Sequence, residues 1–501
     1  MVTAPQAPDT ALTWLERPEV YDGVTRAAKM PKNGRAAGNC TTRSLSHMND
    51  EASSDKLAAA QGSREGKVFI FVKGRKRGFE VPTGWRILWQ SAPGQTAVPQ
   101  ASPQEMVARS LRNPIGSERI RDLATRRSKV AILVDDDTRP TPVKQILPLV
   151  LQELRDSGVS DGNINIIVAV GTHQPLQGDR LEKRLGADIL KEYRVTNHDS
   201  WASDLVRIGV LRDIVIRANP IVAHADVKIG IGTILPHPLA GFGGGPKIVM
   251  PGICGYDTIR EHHTSTLLEP GSYLGNVKGN PFYDFVCNVS AMVGLDYVID
   301  CVVDAQGQAL EIVSGHPIKA QQAGIATCRQ IYGAEFTEEA DVTIASAHPH
   351  EEGPQIIKPI IPAVMTTKEG GTLILAAACE EGLPEPFLRM FDLVRYQDPD
   401  DPMRAVLEHM RARKAFVPDS PMDFNCAIQS TFACLRHLKV ILVSENVGPA
   451  QAARIGFEHA PDLETGLDMA RELRPEASVN VLAAGGIVLP LVERKVDLFG
   501  A

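Results

Sequence analysis

The sequence predicts an α/β fold of two domains with mainly parallel sheets around an interdomain cleft, on three observations. Short apolar runs rich in β-branched residues recur at 130–134, 164–170 and 227–231, as strands buried on both faces do. Longer stretches with helical character, 142–156 and the charged 179–193, stand between them, giving a one-strand, one-helix rhythm. That rhythm restarts near Asn280, with strand-like segments at 297–303, 341–346, 372–376 and 440–443. Two α/β blocks meeting at a cleft are a common way to build a closing active site.

Taken in order, residues 1–65 are rich in Ala, Ser, Gly and Asn without apolar periodicity and read as a disordered extension, with Met48 as an alternative start. Strand signals follow at 67–72 and 84–89. Residues 66–279 are expected to form an N-terminal α/β domain, 280–490 a C-terminal α/β domain, and 491–501 a tail. A length of 501 residues suits two or three domains, and a net charge of −7 argues against a nucleic-acid partner. No apolar run approaches the roughly 18 residues of a membrane helix. The start lacks an apolar signal core, and the eight cysteines are scattered with no CxxC pair. A reducing cytoplasm is the expected location.

Four polar clusters fall where strands should end, which is where open α/β sheets bind ligands. Asp135-Asp136-Asp137-Thr138-Arg139-Pro140 offers carboxylate, hydroxyl and guanidinium on one turn; it reads either as a polar ligand site or as a helix cap. Gly171-Thr172-His173-Gln174 offers a histidine as general base or as a structural residue. His237-Pro238-Leu239-Ala240-Gly241-Phe242-Gly243-Gly244-Gly245-Pro246-Lys247 brackets a glycine loop with His and Lys. Its backbone amides are expected to face an anion, with Lys247 at a helix start. Neither the Walker A spacing nor GxGxxG is present. Arg260-Glu261-His262-His263 offers imidazole to a metal, but no further Cys or His stands at zinc spacing, so other ligands would have to come from elsewhere.

Together with Asn113-Pro114-Ile115-Gly116-Ser117 and Lys368-Glu369-Gly370-Gly371-Thr372, these clusters resemble the nickel-pincer lactate racemase family from about residue 68 to 490. The resemblance implies an isomerase that racemises or epimerises a 2-hydroxy acid. It also implies nickel in a pyridinium-3,5-bisthiocarboxylic acid mononucleotide, bound covalently to Lys247 with Gly243, Gly244 and Gly245 beside its phosphate. His263 matches the protein ligand to nickel, and His173 and His237 match the two catalytic histidines. Asp136 and Arg139 match the family's Asp/Arg pair, and Gln355 and Lys358 fall in its substrate-binding stretch. Cofactor-biosynthesis proteins would be partners; no nucleic acid or membrane is implied.

Physically, the C2 hydrogen of a hydroxy acid is too weakly acidic for easy removal as a proton. Its loss as hydride gives a planar 2-oxo acid, and return to the other face inverts the centre, with a cofactor holding the hydride. Two bases on opposite sides are then expected. The sequence departs from the family pattern at Gln174, at Pro354 beside Gln355, and at Cys426, while His348 and His350 crowd one loop. These changes point to a substrate other than lactate. Sugar-acid epimerisation, a non-catalytic nickel-cofactor carrier and a nicotinamide-dependent dehydrogenase are the alternatives; the absent GxGxxG and the presence of Lys247 weigh against the last.

Overall fold

The computed structural model describes residues 68–91, 101–304, 306–418 and 420–492. The expected extension at 1–65 lies outside the described residues, as does the tail from 493. All described residues fall in one compact unit. No helix among them is long and apolar enough to cross a membrane.

Two six-stranded sheets organise that unit. The first runs Ala309–Gly315, Tyr297–Val303, Val227–Thr233, Val130–Val134, Ile164–Val168, Arg194–Asn197. All neighbours are parallel except the antiparallel edge strand Ala309–Gly315. Val130–Val134, Val227–Thr233 and Tyr297–Val303 are buried at every position. This is why their sequences read as continuous rather than alternating apolar runs: helices cover both faces. Helix Val143–Asp156 buries Val143, Ile146, Leu147, Val150, Leu151 and Leu154, the three-and-four spacing of a helix face. The second sheet runs Glu458–Ala460, Leu438–Val443, Thr367–Ala376, Ala340–Ser346, Ala477–Leu482, Trp85–Ser91, parallel throughout.

The expected division near Asn280 does not coincide with the change of sheet. Tyr297–Val303 pairs with Val227–Thr233, so the first sheet continues to Gly315, while Trp85–Ser91 crosses to the far edge of the second. Apolar strand runs carry no label of the sheet that receives them. The charged helix expected over 179–193 is two helices, Gly178–Leu185 and Ala187–Glu192. Gly186 breaks it at φ 96°, a left-handed conformation open to glycine.

Strand order reverses beside Val130–Val134 in the first sheet and beside Ala340–Ser346 in the second. The loops leaving these strands and their neighbours diverge and open a crevice at the strands' carboxyl ends. The first crevice carries residues 135–141 and 234–247, and the second carries 347–359.

Candidate active site

Both crevices face one cavity of about 240 Å³. Asp136, Arg139, His173, His237, Gly243, Gly244, Lys247 and His263 line it from the first sheet's side. His350, Gln355, Lys358, Asp423, Cys426 and Ser430 line it from the second's. The amide of Met422 donates to Thr172 Oγ1 at 3.0 Å, joining the turn that bears His173 to the helix Met422–Leu435 that bears Asp423 and Cys426.

The 135–141 turn is not a helix cap. Helix Val143–Asp156 has Pro142 at its N-cap and no side-chain capping bond. Instead Arg184 grips the turn: its guanidinium donates to the carbonyls of Asp135, Arg139 and Thr141 and pairs with the buried Asp135 carboxylate. This leaves Asp136 free to meet His173, with Oδ2 2.6 Å from Nδ1, and Thr138 bonds the other carboxylate oxygen. Burial pushes the Asp136 carboxyl up, but the bond and charge of His173, with Arg139 and Thr138, outweigh it and hold Asp136 below the usual carboxylate range. Burial likewise pushes His173 down, and Asp136 more than offsets it, so the imidazole is a stronger base than usual.

Of the four histidines that line the cavity, His173, His263 and His237 each engage Nδ1, but not in the same role. A carboxylate accepts from His173 Nδ1–H, so Nε2 carries the lone pair. His263 Nδ1–H donates to the Ile259 carbonyl at 2.9 Å, so its Nε2 also carries a lone pair. His262 is turned away and fully buried, with Nε2 donating to the Phe282 carbonyl. It packs against His263. Burial, then Lys247, lowers His263 to about 3, leaving a neutral imidazole as a metal ligand requires. His237 is the exception: its Nδ1 accepts from the amides of Leu239 at 3.2 Å and Ala240 at 3.1 Å. Burial, with Lys247 and Arg139, holds its pKa well below the ordinary value.

Lys247 lies in a short 3-10 turn, Gly245–Ile248, rather than at an α-helix start. Burial, with Arg139, lowers its pKa to about 7, so much of the amine is an uncharged nucleophile near neutrality. Among the described residues no carboxylate pairs with Arg139, Lys247 or Lys358; Arg139 donates only to Thr138. Burial, with Arg139, also holds the Lys358 amine well below the ordinary lysine value. The cavity therefore holds a guanidinium and two amines that make no ion pair with the carboxylates sharing its wall, Asp135, Asp136 and Asp423, a setting for an anionic ligand.

The glycine loop departs from expectation. The Gly243 amide donates to the Leu235 carbonyl and the Gly245 amide to Asp300 Oδ2, both at 2.8 Å. Gln321 holds the carbonyls of Gly243 and Gly244. Gly245 does not line the cavity, and a Cβ there would lie 2.6 Å from Gln321. The glycines serve chiefly to pack this corner closely onto Asp300 and Gln321, and two of the amides expected to bind an anion are already engaged.

Comparison with known proteins matches this architecture. The family model described as "Lactate racemase N-terminal domain" matches residues 76–275, and "Lactate racemase C-terminal domain" matches residues 338–489. A lactate racemase of Lactiplantibacillus plantarum is 30% identical, covering 77% of this chain and 91% of that protein. The chain belongs to the lactate racemase family. A second relative, the lactate racemase of Thermoanaerobacterium thermosaccharolyticum, is 29% identical over 77% of this chain and 90% of its own length. The apoprotein structure of a lactate racemase from that organism superposes with a TM-score of 0.76 at 27% identity, covering 85% of this chain and all of that one. A Thermotoga maritima crystal structure shares the fold at TM-score 0.56 and 18% identity, over 77% of this chain and 97% of that one. As a family member the chain is an isomerase of the racemase type.

Of the site residues the sequence singled out, all but Gly245 meet in this cavity. Gln174 is exposed and absent from the wall, and His348 pairs with Glu351 at 3.0 Å behind the loop, leaving His350 to face the ligand space. Asp423, Ser430 and Arg184 were missed. An acidic residue in a helix's first turn and an arginine in a charged helix carry no local pattern that sets them apart.

Proposed function

We propose that this protein racemises or epimerises a 2-hydroxy acid by moving the C2 hydrogen as hydride through a 2-oxo acid, with a nickel-pincer pyridinium mononucleotide on Lys247. One observation carries the reading: a base oriented by a carboxylate, an amine with its pKa lowered to about 7 and a neutral imidazole with a free Nε2 share one cavity. The donor set fits the cofactor. Among the described residues no group of three His, Cys, Asp or Glu is placed to hold a metal, so His263 would be a single protein ligand complementing donors that arrive with a bound molecule. When bound, the group supplies a two-electron acceptor and donor for hydride.

The chain's own residues do the rest. Arg139, Lys358 and Gln355 hold the substrate carboxylate, and His173 Nε2 removes the hydroxyl proton while Asp136 steadies the imidazolium. Leu239, Ile248, Ile259 and Ile361 line the cavity and limit water. Production with the cofactor-synthesis proteins, in a reducing cytoplasm, would install the tether.

The wall favours a substrate other than lactate. Asp423 Oδ1 is buried without a hydrogen-bond partner, and Ser430 and Cys426 lie in the same cavity. A buried carboxylate calls for a donor, which a methyl group does not offer but a hydroxylated chain does. This favours a polyhydroxy acid, hence sugar-acid 2-epimerisation, as the second reading. The test is co-production with cofactor-synthesis proteins, peptide mass of the Lys247 segment, and a chiral screen across 2-hydroxy acids. An adduct with inversion of hydroxylated acids is expected. An adduct without turnover would make the protein a carrier, and an unmodified Lys247 in an active enzyme would overturn the cofactor assignment.

A further inference from the structure

We infer that His262 is a positioning residue for His263: held by the Phe282 carbonyl, it offers a second acceptor to His263 Nδ1–H and so keeps the lone pair of His263 on Nε2, the nitrogen left for the cavity. The inference rests on the reading of His263 as the nickel ligand. It goes beyond that reading by giving a role to a fully buried ring outside the cavity wall.

Two carbonyls decide where the protons sit. His262 Nε2 lies 3.2 Å from the Phe282 carbonyl, and His263 Nδ1 lies 2.9 Å from the Ile259 carbonyl one helical turn back. A carbonyl oxygen only accepts, so each of these nitrogens carries a hydrogen. The two Nδ1 atoms face each other at 3.3 Å. If both were protonated, two N–H groups would oppose one another. The contact is therefore a hydrogen bond from His263 Nδ1–H to the bare Nδ1 of His262, and that N–H is shared between the Ile259 carbonyl and the neighbouring ring. Packing holds the pair in place. The His262 ring stacks on Phe285 at 4.5 Å and 23°, lies 4.1 Å from Phe282, and meets His263 edge-on at 88°. A flip of this ring would strip the Phe282 carbonyl of its donor and turn an N–H off its acceptor. A polar ring inside an aromatic cluster is costly unless its nitrogens are bonded. Here both are, which sets His262 apart from a residue that only fills space.

The acceptor of a metal-ligating imidazole's other N–H orients the ring and makes its ligating nitrogen a better donor. One acceptor leaves the ring able to pivot about the line joining nitrogen and oxygen. A second acceptor off that line restrains the pivot, and His262 supplies it. Among the described residues no cluster of metal-ligating side chains stands by to share the metal, so the aim of His263 is not made up by a neighbour. Phe282 extends the same support to the tether. Its ring packs against His263 with centroids 4.9 Å apart, and Lys247 Nζ stands 5.3 Å from its centre. The residue that holds His262 thus packs against both side chains that would hold the cofactor.

Two measurements test this. In cofactor-free protein labelled with 15N-histidine, long-range proton–nitrogen correlations, assigned by the signals lost in His262→Asn and His263→Ala, should show His262 protonated on Nε2 and His263 on Nδ1. A proton on His262 Nδ1 overturns the inference whatever the cofactor proves to be. In cofactor-loaded enzyme, nickel loss to a chelator is followed while peptide mass monitors the Lys247 adduct. His262→Phe keeps an aromatic ring in the cluster but removes the acceptor, so nickel should leave on the order of ten- to a hundredfold faster with the adduct retained. His262→Asn can place its amide oxygen near the Nδ1 position and should hold nickel nearly as the wild type does. Equal acceleration in both variants would make His262 a packing residue, and none in either would make its bond idle; both results overturn the inference. If His262→Phe does not fold, the tautomers of the wild type still decide. An unmodified Lys247 in the wild type would instead overturn the cofactor reading, and the tautomer result would stand on its own.

Discussion

On the wall built by the first sheet, each imidazole and the glycine corner have their partners. Asp136 holds His173, Ile259 holds His263, two amides hold His237, and Asp300 and Gln321 hold the glycine corner beside Lys247. On the wall built by the second sheet, Gln355, Lys358 and Asp423 face the same space with no ion pair or side-chain hydrogen bond among the described residues. A group held by the protein has its direction and protonation set before substrate arrives, as bond-making chemistry needs. A buried polar group left without a partner is costly until a ligand supplies one, so it selects ligands by what they can supply. The first wall sets the reaction and the second sets the substrate.

Breaking the first wall should cost most. Lys247→Ala removes the nucleophile, and the account expects no adduct on that peptide and no racemisation; mass spectrometry and a chiral assay read both. Asp136→Asn should lower kcat/KM by about a hundredfold or more, because His173 loses orientation and basicity. The sign of its pH effect follows from the raised His173 pKa. His173 works unprotonated, so the rate falls as pH drops through that raised value. Without the carboxylate the pKa falls, and the acid limb of the pH–rate profile should move to lower pH. An unmoved limb would assign it to another group.

His263→Ala should separate metal from tether: nickel content falls while the Lys247 adduct persists, read by metal analysis and intact mass on the same sample. The smallest effect belongs to the second wall. Asp423→Ala should leave the adduct untouched and reduce kcat/KM for hydroxylated acids relative to short apolar ones by about tenfold, equivalent to about 1.4 kcal/mol. An equal loss for every acid would make Asp423 a structural residue and erase the contrast between the walls.

The same contrast marks what the sequence could tell. First-wall residues sit in dense local clusters, His237 to Lys247 and Asp135 to Arg139, each directly after a buried apolar strand, so motif and strand could be read together. Arg184 and Asn280, which fix those clusters, lie 43 and 41 residues in sequence from atoms they hold, and no local spacing reveals them. On the second wall, Gln355 and Lys358 were legible only through resemblance. Asp423 was not legible at all, because it reaches the site through the packing of helix Met422–Leu435. Strands 297–303 and 85–91 were recognised as strands but could not be assigned to a sheet, since pairing partners are set by tertiary packing.

The most direct test of the central claim is the fate of the C2 hydrogen. Cofactor-loaded enzyme is given a single enantiomer of an accepted 2-hydroxy acid carrying deuterium at C2, in ordinary water, and the inverted product is analysed by mass spectrometry and NMR. Hydride transfer through a 2-oxo acid predicts that the product keeps its deuterium at C2. Product carrying solvent hydrogen there from the first turnovers would show removal as a proton, and would contradict the account.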